Sequence, residues 1–141
     1  MKTNKLLFHK KGLILKSINH KWIKSHAWVP TVYKLKNNKV IIFFAGRNNK
    51  NESDIGYIVF DLDEMKVTKF SKKPILKRGP LGSFDDSAVI PSHMIKVKDK
   101  FYLYYVGWTQ GKKVPFFSSI GLAISKSPFG PFKKYSSAPI I

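Results

Sequence analysis

The sequence predicts an all-β protein made of two copies of one four-stranded antiparallel unit. Three observations carry this: a long internal repeat, strand-like segments throughout, and turn formers between them. Ala27-Trp28-Val29-Pro30-Thr31-Val32-Tyr33-Lys34 aligns with Ala88-Val89-Ile90-Pro91-Ser92-His93-Met94-Ile95, which sets Pro30 against Pro91. At the same offset Lys39–Gly46 aligns with Lys100–Gly107. After a four-residue insertion, Ile55-Gly56 matches Ile120-Gly121 and Pro74-Ile75-Leu76 matches Pro139-Ile140-Ile141, both at one longer offset.

Each copy reads as four strands rich in β-branched and aromatic residues. The first copy gives Val29–Lys36, Lys39–Gly46, Ile55–Asp61 and Lys66–Phe70, and the second gives Val89–Val97, Lys100–Gly107, Ser119–Ser125 and Phe132–Tyr135. Asn37-Asn38 and Lys98-Asp99 fit two-residue hairpin turns, because Asn and Asp tolerate positive φ. Asp61–Glu64 and Ser127-Pro128-Phe129-Gly130 are further turn signals, and no stretch keeps helical spacing over three turns. A four-stranded antiparallel unit repeated in tandem is the blade of a β-propeller; one eight-stranded sandwich or barrel is the alternative. The chain then divides into a lead-in segment (1–26), blade one (27–76), an inter-blade loop (77–87) and blade two (88–141). Blades bury their faces against neighbours, so two alone leave apolar surface in water. The expectation is an incomplete propeller, or a ring completed by self-association.

Composition fits a globular chain, with 43% hydrophobic and 14% aromatic residues. No run of 18 apolar residues exists to span a membrane. The stretch Met1-Lys2-Thr3-Asn4-Lys5-Leu6-Leu7-Phe8 has too short an apolar core for a signal peptide, so a cytoplasmic location is expected. With no cysteine, disulfides and thiolate metal sites are excluded, and the histidines at 9, 20, 26 and 93 lack metal-ligand spacing. No metal or cofactor is expected. The net charge of +18 suits an acidic partner, either an anionic glycan or nucleic acid. Only Arg47 and Arg78 among the 26 basic residues are arginine, which weighs against readout of phosphates and bases. The lysines are scattered, with pairs such as Lys72-Lys73 as the longest runs.

Blade inner strands line a propeller's channel, so chemistry is sought where they begin. Gly79-Pro80-Leu81-Gly82-Ser83-Phe84-Asp85-Asp86-Ser87 precedes the inner strand of blade two. Asp85 and Asp86 are candidate catalytic carboxylates; they are equally readable as a loop end bonding its own backbone. Neighbours on a strand point to opposite sides, so only one of the two can face the channel. His26, Trp28, Arg47 and Trp108 are candidate substrate-binding residues: an imidazole, two aromatic faces for sugar rings, and a guanidinium for a carboxylate or anionic group. Each has a plain alternative in packing or a surface ion pair.

The segments His26-Ala27-Trp28-Val29-Pro30, Ala45-Gly46-Arg47, Ser53-Asp54-Ile55-Gly56, Gly82-Ser83-Phe84-Asp85-Asp86, Val89-Ile90-Pro91, Tyr102–Trp108 and Ser119–Ser125 carry a resemblance. Together they resemble the five-bladed propellers of glycoside hydrolase families 32, 43, 68 and 130, above all family 32 N-terminal-like proteins of polysaccharide biosynthesis clusters. The likeness runs from about residue 20 onward, over two of five blades. It implies an acidic residue from each of three blades, with one at Asp85 or Asp86 and with His26 and Arg47 touching substrate. The other acids here are Glu52, Asp54, Asp61, Asp63, Glu64 and Asp99, and none sits where an inner strand is predicted to begin. The expectation is the N-terminal part of a carbohydrate-active protein, hydrolase- or phosphorylase-like, inactive alone. A glycan-binding module that self-assembles into a ring and a basic nucleic-acid-binding domain are the alternatives.

Overall fold

The computed structural model describes residues 7–15 and 20–141. Most of the charged N-terminal stretch, Met1 to Leu6, lies outside the described residues. Eight strands follow in order: β1 (Ser25–Lys34), β2 (Lys39–Arg47), β3 (Ser53–Asp61), β4 (Lys66–Phe70), β5 (Ala88–Val97), β6 (Lys100–Gln110), β7 (Phe116–Ser125) and β8 (Lys133–Lys134). There is no helix among the described residues. β1 to β4 form one antiparallel meander and β5 to β8 a second. A single parallel bridge, Ser53 to Ala88, joins them, so the two meanders are separate blades.

The first predicted turn holds as read, with φ of 53° and 49° at Asn37 and Asn38. In the second, Lys98 takes the positive φ of 54° and Asp99 does not, as in turns whose first central residue is left-handed. Three strand limits differ from the sequence reading. β1 starts four residues early because bulges at His26 and Val29, with φ of 54° and 50°, let it keep pairing with β2. β6 and β7 reach three residues further, since Trp108, Thr109, Phe116 and Phe117 are themselves good strand formers. β8 shrinks to two residues. The bulges also move the repeat register. Val32 faces Ile42 and Met94 faces Leu103, so the first strands are offset by one residue more than the second strands, and Pro30 and Pro91 are not equivalent.

Alternation along β2 sends Ile41 and Phe43 one way and Ile42 and Phe44 the other. The first pair joins Ile55, Tyr57 and Val59 against Val89, Leu103, Tyr105 and Ala123 of the second blade, forming the inter-blade core. The second pair, with Ile58 and Phe60, is covered by Leu15, Trp22 and Ile23 of the lead-in segment. The Trp22 ring stacks on Phe44 and Phe70 and its Nε1 donates to the Ser71 carbonyl at 3.2 Å. Glycines make the room: a Cβ at Gly46 or Gly56 would collide with Trp22. In the second blade the matching Gly107 and Gly121 leave space for Phe84, Asp85 and Tyr105. Phe84 and Asp85 thus hold the places of Trp22 and Ile23.

The repeat persists after the third strand of each blade. Ile75 N–H donates to Ile55 O at 2.8 Å and Ile55 N–H to Leu76 O at 3.0 Å. Ile140 N–H donates to Ile120 O at 2.7 Å and Ile120 N–H to Ile141 O at 2.8 Å, the same pair of bonds in the second copy. No helix among the described residues is long and apolar enough to cross a membrane.

Candidate functional site

One row of backbone pairings crosses both blades at the end where β2 finishes and β3 and β5 begin. It runs Ser25, Arg47, Ser53, Ala88, Trp108, Ser118. Tandem hairpins therefore bring residues far apart in sequence to a single edge. A cavity of about 480 Å³ opens there, lined among others by Arg47, Glu52, Asp86, Ser87, Trp108 and Phe116. A neighbouring cavity of about 360 Å³ shares Glu52 and Asp86 and adds Asp54 and Arg78.

The two aspartates of the loop have different surroundings. Asp85 is 1% exposed. Its carboxylate accepts from the Tyr105 hydroxyl at 3.0 Å and from the Ser83 hydroxyl at 3.0 Å, and it is ion-paired with Lys134. Burial, then the Asp85 charge, pushes the Tyr105 hydroxyl well above its ordinary pKa. Asp86 is half-buried and lines both cavities. Burial pushes its carboxyl up, but the Gly82 N–H, the Ser87 and Thr109 hydroxyls and the Arg78 charge together outweigh it, and the net pKa is lowered.

Arg78 is a clamp. Its backbone N–H and Nε donate to Asp54 Oδ1 at 3.0 and 3.1 Å, and its guanidinium meets Glu52 Oε2 at 2.6 Å. The Glu52 carboxyl is lowered chiefly by the Asn48 side chain; burial opposes this, and Arg78 adds to the lowering. Arg47 has no acidic partner among the described residues. Its guanidinium lies 5.2 Å from the Trp28 ring centroid. Trp28 meets Trp108 edge-on at 5.4 Å, and Trp108 stacks on Phe116 at 4.1 Å.

Asp86, Arg47 and Trp108 therefore share one cavity, with Trp28 packed beside them. His26 does not line it: its exposed ring sits 2.9 Å from the Ser25 hydroxyl in the first bulge. The sequence reading missed Glu52, Asp54, Arg78 and Phe116. The signal for the acids was available, because the β2–β3 hairpin must return Glu52 and Asp54 to the end where Arg47 lies. Phe116 was hidden by the underestimated length of the β6–β7 hairpin.

No family model matches the sequence. The chain is 35% identical over 121 residues to two uncharacterized proteins of Mycobacterium tuberculosis, from strains CDC 1551 / Oshkosh and H37Rv. The match covers 85% of this chain and 40% of each relative, so the chain spans well under half their length. Among solved structures, the family 117 glycoside hydrolase Zg3597 of the marine bacterium Zobellia galactanivorans superposes with a TM-score of 0.67 at 22% identity. That superposition covers 89% of this chain and 36% of the hydrolase. A family 43 β-xylosidase/α-arabinofuranosidase from a compost microbial metagenome gives 0.59 at 19% identity, covering 92% and 39%. A structure from family 130 gives 0.63 at 13% identity, covering 82% and 32%. That family of mannoside phosphorylases contains glycoside hydrolases that target β-1,2 mannosidic linkages in Candida mannan.

The fold is that of the glycoside hydrolase propellers. Each of these neighbours is about a third matched, which corresponds to two blades of a larger ring.

Proposed function

We propose that this chain is the glycan-holding portion of a carbohydrate-active propeller of hydrolase or phosphorylase ancestry, and that on its own it binds sugar without cleaving it. The observation that carries this reading is the stacked Trp108–Phe116 pair in one cavity with the Asp86 carboxylate. A flat aromatic face beside a hydrogen-bonding carboxylate suits a sugar ring, which has an apolar face and a polar rim. Asp86 is the carboxylate that meets substrate; Asp85, consumed by Tyr105, Ser83 and Lys134, holds the loop that presents it.

The electrostatics support binding without turnover. Glycoside hydrolysis by paired carboxylates needs one that keeps its proton near neutrality. Glu52 and Asp86, the carboxylates lining the cavity, are both held below their ordinary range and stay ionised. A proton donor would have to come from blades beyond these two.

The test is calorimetric titration of the 141-residue chain with a panel of neutral and acidic oligosaccharides, with product analysis on the same samples. Trp108→Ala should weaken binding about tenfold or more, in line with about 1–3 kcal/mol for a ring stacked on an aromatic face. No binding across the panel, or binding indifferent to Trp108→Ala, would overturn the site. Sugar release by the chain alone would overturn the claim that it does not cleave.

A further inference from the structure

The two arginines of this chain have opposite surroundings. Arg78 is neutralised by Glu52 and Asp54. Arg47, at the rim of the same region, faces no carboxylate among the described residues, and its Nε is buried without a hydrogen-bond partner. Trp28 Nε1 is buried and unpartnered too, on the ring that the Arg47 guanidinium covers at 5.2 Å. Buried N–H groups are nearly always paired, and leaving a charged one unpaired costs more than a neutral one. Two orphaned donors on touching side chains, one of them cationic, call for an anionic oxygen acceptor.

The remaining charges point the same way. Lys50 lines the cavity beside Arg47. The cavity's own carboxylates are satisfied elsewhere: Glu52 by Arg78 and the Asn48 amide, Asp86 by the Gly82 N–H and the Ser87 hydroxyl. The unmet charge is therefore positive. Trp28 holds the guanidinium plane in place, so little side-chain entropy remains to be lost when an oxyanion arrives.

We infer that the cavity takes an acidic sugar, one bearing a carboxylate or sulfate group, with Arg47 as its counter-charge and Trp28 as the support for Arg47. This rests on the glycan-binding reading and specifies its substrate class.

The overall charge of +18 attracts any polyanion, so the test uses small ligands at physiological salt, where the Debye length is about 8 Å. Glucuronic acid, galacturonic acid and galactose 6-sulfate are titrated against glucose and galactose by amide NMR, with sodium sulfate as a further arm. The acidic sugars should bind about tenfold tighter than their neutral counterparts and tighter than free sulfate. Arg47→Gln should abolish that preference and Arg47→Lys should restore part of it. Trp28→Phe, which keeps the ring and removes the N–H, should reduce it. A Lys72→Gln/Lys73→Gln control, equal to or greater than Arg47→Gln in lost charge, should change nothing. Equal binding of neutral and acidic sugars that still depends on Trp108 would overturn this inference and leave the glycan site standing. Free sulfate binding as tightly as the sugar acids would overturn it as well, reducing the site to an anion trap. A preference shifted as much by the Lys72/Lys73 control as by Arg47→Gln would show generic charge attraction and overturn it too.

Discussion

Tyr105 donates its hydroxyl to the Asp85 carboxylate at 3.0 Å in the inter-blade core, tying the Asp-Asp loop to the second strand of its own blade. Lys134 reaches the same carboxylate from β8, so three segments of the second blade meet at one buried charge. Asp86 is placed at the cavity by this knot.

Asp85→Ala should therefore act on stability first. Removing one partner of a buried ion pair strands the other and costs about 3–5 kcal/mol. Tyr105→Phe removes a single hydrogen bond to a charged group and should cost less, about 1.5–3 kcal/mol. Urea denaturation of both variants checks the ranking, and an Asp85→Ala loss smaller than that of Tyr105→Phe would contradict it.

Alkaline pH should weaken the wild type through the same bond. The Tyr105 pKa is raised on folding, so its contribution is complete below the unfolded value of about 10 and is lost as pH climbs beyond it. Melting curves between pH 9 and 11 should fall more steeply for the wild type than for Tyr105→Phe. Parallel curves would show that the hydroxyl is not coupled to folding.

Arg78→Gln should reshape the acid limb. Glu52 and Asp86 have lowered pKa values in the folded chain, so their stabilisation is present above about pH 4 and is lost as pH falls. Arg78 contributes to both lowerings. The variant should lose about 1–3 kcal/mol at pH 7 and show a shallower decline between pH 5 and 3. An unchanged slope would mean the clamp is electrostatically idle.

Gly56→Ala tests the packing of the lead-in segment. The new methyl would collide with Trp22, and overpacking of this kind costs about 1–3 kcal/mol. In a Trp22→Leu background the same change should cost distinctly less. A double-mutant cycle showing simple additivity would mean that Gly56 is not there to seat the indole.

Much of this architecture was legible in residue types alone. The strands announced themselves through runs such as Val40–Phe44 and Tyr102–Val106, and the turn at Asn37-Asn38 through side chains that accept positive φ. Where the reading slipped, backbone geometry had overridden local chemistry. Val29 is β-branched and a poor choice for φ of 50°, so nothing in its identity marks the bulge that shifts the repeat by one residue. At the site, Asp85 and Asp86 look interchangeable in sequence, and only the packing of Tyr105 and Lys134 separates them. Glu52 and Asp54 went unnoticed because they lie at the start of a third strand, whereas the search concentrated on inner strands.

The paired glycines carry a lesson about descent. Gly46 and Gly56 admit an indole contributed by the lead-in segment, while Gly107 and Gly121 admit a phenylalanine, an aspartate and a tyrosine contributed by the second blade and its loop. The occupants share almost no chemistry, yet the sockets match. What duplication copied here was a vacancy, which each blade then furnished differently: one with an apolar plug, the other with a charge. A hunt for further blades of this lineage would do better to align missing side chains than the ones that fill the gaps.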